Sequence, residues 1–135
     1  MKRYHILAIL VSAIVSFALQ FLWFTMLFAE PYLEGLGKTQ AEMDSGATAM
    51  EAFAIQLISN IVLAFVVSWL MVKMNYLTVS HGIQLAVLIW LGFIVAVIGP
   101  MFAFQAYSMN FFLINAFGYL LPVLVSAIIF GLWKK

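Results

Sequence analysis

The residues able to do chemistry are few. His5 and His81 are the only imidazoles in the chain. Two histidines without a third ligand make a weak metal site, because zinc takes three or four protein ligands. Both fall at one predicted membrane boundary, where interfacial hydrogen bonding is their expected work. The five acids, Glu30, Glu34, Glu42, Asp44 and Glu51, gather in a different segment, on the side opposite the histidines. No Ser/His/Asp set, carboxylate pair or glycine-rich phosphate loop occurs at chemical spacing. There is no cysteine to serve as thiolate ligand or nucleophile. No enzymatic activity, cofactor or metal is expected.

What remains is uncharged and periodic. Ser12, Ser16 and Gln20 recur every fourth residue, and so do Gln56, Asn60, Ala64 and Ser68. Gly92, Ala96 and Pro100, joined by Gly99, form a third such ridge. Asn115, Gly118, Tyr119, Pro122 and Ser126 form a fourth. On helices each set shares one face. Such amides commonly act as packing glue, each interhelical polar contact contributing about 0.6 kcal/mol. The alternative is a lining of amide dipoles for a small polar solute or ion. Pro122 is expected to kink its helix beside Gly118, and Pro100 with Gly99 to loosen the end of another.

The elements that must carry these residues follow from composition. Of 135 residues 67% are apolar and 8% charged, with a net charge of +1. A soluble domain is about a quarter charged, so a soluble monomer is excluded. No basic stripe exists to neutralise phosphates, and no nucleic-acid partner is expected. A bilayer core needs roughly 20 apolar residues in a helix. Four charge-free stretches qualify: Tyr4–Phe28, Ala52–Val72, Gly82–Phe104 and Phe111–Trp133. The spans are therefore placed at 4–28, 50–72, 82–104 and 111–133, within one integral domain covering 1–135. The first is read as an uncleaved anchor, because Ala29-Glu30-Pro31 is a poor signal-cleavage context.

Lys2, Arg3, Lys73, Lys134 and Lys135 fall on one side of a four-span chain, and only Lys38 on the other. Basic residues mark the cytoplasmic side. Both termini are expected inside, in a multi-pass protein of the cytoplasmic membrane. The connections at Lys73–His81 and Gln105–Asn110 are short, which makes sequential helices antiparallel neighbours. The first connection, about Ala29 to Met50, is longer. Within it Thr39-Gln40-Ala41-Glu42 and Thr48-Ala49-Met50-Glu51 both match a capping box. A short helix near Gln40–Ser45, a break at Gly46 and then the second span are expected. Trp23, Tyr32 and Trp133 are assigned to the interfacial aromatic belts. Trp90 lies deeper and its indole N–H needs an internal partner.

At 1.5 Å per residue, Gln20 lies about 24 Å beyond Tyr4. Gln56 and Asn115 lie roughly 10 Å and 8 Å below helix starts near Ala49 and Asn110. A hydrogen-bonded cluster of Gln20, Gln56, Asn60 and Asn115 is expected in the outer half, with all four small or polar stripes turned inward. No acid or base lies deep in a span, which argues against proton-driven antiport of the kind that uses an intramembrane Glu.

Leu22-Trp23-Phe24-Thr25 with Phe28, Pro31-Tyr32 and Gly37, then Trp90-Leu91-Gly92-Phe93, Leu113-Ile114-Asn115-Ala116 with Gly118-Tyr119, and finally Gly131 with Trp133 follow one another along the chain. In that order they resemble the bacterial four-helix membrane proteins grouped as domain of unknown function 1761. Phe24 stands where Tyr is usual, Ala29 where Gly is common and Tyr32 where Trp is usual. The resemblance implies four helices and no assigned chemistry, and it draws notice to Trp23, Trp90, Asn115 and Tyr119. The expected architecture is an all-α, four-helix transmembrane bundle. Its leading function is moving or binding a small solute, as a homo-oligomer in the lipid bilayer. The alternative is an accessory or scaffold protein that binds a partner protein or lipid.

Overall fold

The computed structural model describes residues 3–38, 41–42, 45–46 and 48–133, with side chains from His5 onward. Every regular element among the described residues is helical. Helix α1, Arg3–Leu22, runs on through a π turn at Trp23–Leu27. A short α2 follows at Ala29–Leu36 and ends at Gly37, whose φ of 67° is the left-handed conformation that glycine adopts freely. Helix α3 spans Ala49–Lys73, α4 Val79–Phe104 and α5 Met109–Leu132. Helix α4 carries a second π turn at Trp90–Val95. The continuous helix His5–Leu27 and helices α3, α4 and α5 are each long and apolar enough to cross a bilayer. In hydrocarbon, a helix is how a chain satisfies its own backbone polar groups.

The starts are set by side-chain caps. Thr48 Oγ1 accepts from Glu51 N at 3.2 Å, while Glu51 Oε1 accepts from Thr48 N at 3.1 Å, a reciprocal capping box. Thr78 and Ser108 cap α4 and α5, each accepting from the N–H three residues on. The α4 cap lies upstream of the expected start at Gly82, so the connection is shorter than the charge pattern implies. Tyr76 N donates to Met71 O at 2.7 Å, and Tyr107 N to Phe102 O at 3.0 Å. These six-to-one bonds close α3 and α4 with Asn75 and Ala106 at positive φ. Replacing Thr48 by Ala removes one partner of the capping box and is expected to cost about 1 kcal/mol. Hydrogen exchange at the first turn of α3 should rise, with the remainder of that helix unchanged.

The first connection carries α2, a short helix upstream of the one expected near Gln40–Ser45, and the described residues of that expected stretch include helical ones as well. Thr39, Gln40, Met43 and Asp44 lie outside the described residues, and with them the first capping box. Ala41 and Glu42 are helical, and Ser45 N bonds to Ala41 O at 3.1 Å. Ser45 lies in a turn and Gly46 in a bend. Lys2, Lys134 and Lys135, which carry much of the charge-based orientation, also lie outside the described residues, as does the Tyr4 side chain.

Helix α5 is the axis of the bundle and touches α1, α2, α3 and α4, while α1 packs in addition on α3. Helix α4 reaches α3 only through its first segment, Val79–Ile89. Sequential helices α3 and α4 therefore meet at one end and part at the other, rather than lying side by side as their short connection implies. At the closed end, nearest the chain termini, Ala8, Val67, Met71, Leu85, Val123 and Phe130 form the buried core. Gly131 passes so close to the backbone of Thr78 and Val79 that a Cβ would lie 2.9 Å from Val79 N. Toward the end that carries α2, α4 parts from α3 while α2 and α5 stay packed together.

Three of the four polar stripes turn inward. Ser12, Ser16 and Gln20 are buried, as are Asn60, Ala64 and Ser68, and Asn115, Gly118, Pro122 and Ser126. The α4 ridge does not: Gly92, Ala96 and Pro100 are exposed, and a Cβ on Gly92 would meet no atom within 4 Å. The π turn is the cause. It inserts one extra residue, which rotates everything beyond it by about 100° relative to the ridge drawn for an uninterrupted α-helix. Before the turn Gly82, Leu85 and Ala86 are the buried residues of α4, and beyond it Phe102 is. Pro100 and Pro122 both lie inside continuous helices.

Candidate functional site

Gln20 is the hub of the polar interior. The stripe spacing of α1 delivers it buried, just before the π turn. Its Oε1 accepts from Asn60 Nδ2 at 3.0 Å and from Gln56 Nε2 at 3.1 Å. Gln56 Nε2 also donates to Asn60 Oδ1 at 2.9 Å. On the other side, Gln20 Nε2 donates to the carbonyl of Gly118 at 3.5 Å, the outer edge of hydrogen-bond range. That carbonyl is open to another helix for a covalent reason. Its donor within α5 would be the N–H of residue 122, and Pro122 has none.

Asn115 does not join this cluster. One turn away from Gly118 along α5, its Nδ2 donates back to Phe111 O at 2.9 Å, so its own helix satisfies it. The four-amide group expected from depth is a group of three. Ser16 Oγ and Ser126 Oγ are buried without a hydrogen-bond partner among the described residues.

Two tryptophans clasp α5. Trp23 Nε1 donates to Ile114 O at 2.9 Å, and Trp90 Nε1 to Ala116 O at 2.6 Å. Each tryptophan opens a π turn, and the two approach α5 from different helices. Carbonyls two residues apart on a helix point about 200° apart, so acceptors at 114 and 116 suit donors on opposite sides. Trp90 thus has the internal partner its depth demands. Trp23 stands at the α2 end of its helix, its ring half-buried against Phe28 with centroids 4.6 Å apart. Tyr32 lies between Phe24 at 5.1 Å and Phe111 at 5.4 Å. Trp133 packs on the core at the closed end. The histidines rest on rings, His5 on Phe130 at 5.0 Å and His81 on Tyr76 at 4.7 Å. No group of three or more His, Cys, Asp or Glu able to hold a metal occurs among the described residues.

The amides line two adjoining clefts, which share Gln20, Ala52, Gln56 and Tyr119. The smaller, about 200 Å³, has aromatic walls from Phe17, Phe21, Phe24, Tyr32 and Phe53. The larger, about 560 Å³, lies where α3 and α4 part, against Ser59, Asn60, Leu63, Ile94 and Pro122. Every residue lining either cleft is uncharged. Burial pushes the Tyr32 phenol above its ordinary pKa, with Tyr119 and Tyr107 adding to the effect, so it stays a neutral hydroxyl. Two polar atoms here have no protein partner among the described residues: Gln56 Oε1 and the Tyr119 hydroxyl.

The chain matches the family described as protein of unknown function (DUF1761) over residues 7–131. It belongs to that family. Within this DUF1761 chain, the segments around Trp23, Trp90 and residues 115–119 that carry the resemblance meet in space, while Gly131 and Trp133 lie at the closed end. Trp23, Trp90, Ile114, Ala116 and Gly118 build the clasp around α5, and Tyr119 lines both clefts. No curated protein and no solved structure matches the chain. Sequence spacing found Gln20, Gln56 and Asn60 but missed Tyr119 as a cleft residue. Its signal was its place beside Gly118 on the same face as Pro122.

Proposed function

We propose that this membrane protein binds a small uncharged polar molecule at the Gln20–Gln56–Asn60 cluster and holds it or passes it across the bilayer. One observation carries the reading: a buried amide network borders two clefts while leaving Gln56 Oε1 and the Tyr119 hydroxyl unpaired. Both residues line the clefts, so a ligand there can supply the hydrogen bonds that these atoms do not make within the protein. An ion is a poorer occupant than a neutral solute. Gln20 Oε1 already accepts two hydrogen bonds and Asn60 Oδ1 one, which leaves too few free oxygens for a dehydrated cation.

The setting of this reading is a cytoplasmic membrane, with both termini inside and the clefts in the outer half. It includes assembly as a homo-oligomer and no catalysis. The charge bias favours the orientation. The outward ridge of Gly92, Ala96 and Pro100 favours close approach of another helix. That same ridge, beside Phe93 at 75% exposure, favours the second reading, an accessory protein docked on a membrane partner.

Liposome flux over a panel of neutral metabolites separates the two. The expected result is flux in wild type that falls at least tenfold in Gln56→Ala, with the variant still monodisperse and helical. Absence of flux and of binding across the panel, with a partner co-purifying in stable proportion, would decide for the accessory role.

A further inference from the structure

Resting on that reading of the site, we infer that the ligand is a neutral amphiphile with a planar polar head, taken up sideways from the lipid rather than from water. Three observations lead there. The first is the shape of the opening. Beyond Val79–Ile89 the backbone of α4 stands away from that of α3, so the larger cleft lies at the seam where these helices part. Its apolar lining comes from Ile55 and Leu63 of α3 and Ile94 of α4. Ile55 is 61% exposed on the bundle surface, where lipid would lie. A solute from water would have to displace hydrocarbon to enter here; a molecule dissolved in the bilayer would not.

The second is the division of the two clefts about their shared amides. Phenylalanine rings wall the smaller one, with Phe17 and Phe21 edge-on to Phe53 at 5.7 Å and 6.3 Å. Ring walls favour a flat head by offset or edge-on stacking. The larger cleft carries its polar groups at the shared amides with Ser59 and Asn60, and its Ile55, Leu63 and Ile94 side, at the seam of α3 and α4, then takes a chain. The third is the polarity of the free groups. Gln56 Oε1 accepts only, while the Tyr119 hydroxyl both donates and accepts. The complementary head carries at least one O–H or N–H and one carbonyl or ether oxygen. Without a charged residue in either lining, a phosphate or ammonium head would be desolvated with no partner.

Decyl para-hydroxybenzoate has this chemistry: a flat ring, one phenol donor, one ester acceptor and an alkyl tail. Its binding to the full chain in nanodiscs should be measured by competition against a photoreactive benzophenone analogue, with crosslinked peptides mapped by mass spectrometry. Saturable binding is expected, with crosslinks on α3 near Gln56 and on α5 near Tyr119. Decylbenzene, which lacks the polar head, should fail to compete. Tyr119→Phe keeps the ring and should fold normally; it should weaken binding about fivefold, as loss of one hydrogen bond does. Gln56→Leu should weaken it further.

Non-saturable partitioning that neither substitution changes would overturn the inference. So would equal competition by decylbenzene. If glycerol or another water-soluble neutral solute binds at Gln56 while decyl para-hydroxybenzoate does not, the lipid route is wrong and the solute site stands. If neither binds, both fall.

Discussion

Gln20→Leu is expected to lower the unfolding free energy of the bundle by about 2 kcal/mol, measured by steric trapping or by denaturation in mixed micelles. The side chain makes three hydrogen bonds, two accepted at Oε1 and one donated to Gly118 O. Membrane-embedded side-chain bonds average about 0.6 kcal/mol each and reach about 1.7 kcal/mol, so the sum of three sets the scale. The penalty arises chiefly from what is stranded. Asn60 Nδ2 loses its acceptor and the Gly118 carbonyl, already without an intrahelical donor because of Pro122, loses its visitor. Gln56 retains its bond to Asn60. Adding Asn60→Leu to Gln20→Leu should therefore cost less than the two single losses combined, because the second change removes a group the first left unpaired. Strict additivity would mean that the three amides do not act as a network.

Those amides were legible in the sequence because a polar residue on a hydrophobic helix has nowhere else to go. Four-residue spacing put Gln20 on the face of Ser12 and Ser16, and put Asn60 on that of Ala64 and Ser68. A rise of 1.5 Å per residue brought the faces to similar depth. The same arithmetic overreached at Asn115. Depth alone cannot tell a side chain that crosses to another helix from one that turns back to its own carbonyl, as Asn115 does to Phe111. It failed also for Gly92, Ala96 and Pro100, since spacing assumes a continuous α-helix and the π turn at Trp90–Val95 breaks the count. Nothing in the local hydrophobic pattern marks that turn. What anchors it is tertiary, the indole of Trp90 reaching Ala116 O. The parting of α3 from α4, which creates the larger cleft, is tertiary in the same way.

Gly118→Ala is expected to be among the most damaging single-methyl additions in the chain, at about 3 kcal/mol, the upper part of the overpacking range. A Cβ at that position would overlap Phe24 Cζ and would lie 2.8 Å from Phe24 Cε2 and 3.0 Å from Trp23 Cδ1. Neither ring retreats freely. Trp23 is held by its bond to Ile114 O at 2.9 Å, and Phe24 lies between Tyr32 and Tyr119 with ring centroids at 5.1 Å and 6.1 Å. Moving them disturbs the π turn of α1 and the wall of the smaller cleft together, so ligand affinity and thermal stability should fall in the same variant. The clash involves the far edge of the Phe24 ring, atoms that leucine lacks. Gly118→Ala combined with Phe24→Leu should thus recover about half of the lost stability in thermal unfolding, even though Phe24→Leu alone is destabilising. A double variant no better than Gly118→Ala would place the strain elsewhere, in the α5 backbone at Pro122 rather than against the ring. Recovery of stability without recovery of binding would separate the ring's two tasks, spacing α1 from α5 and walling the cleft beside Tyr119.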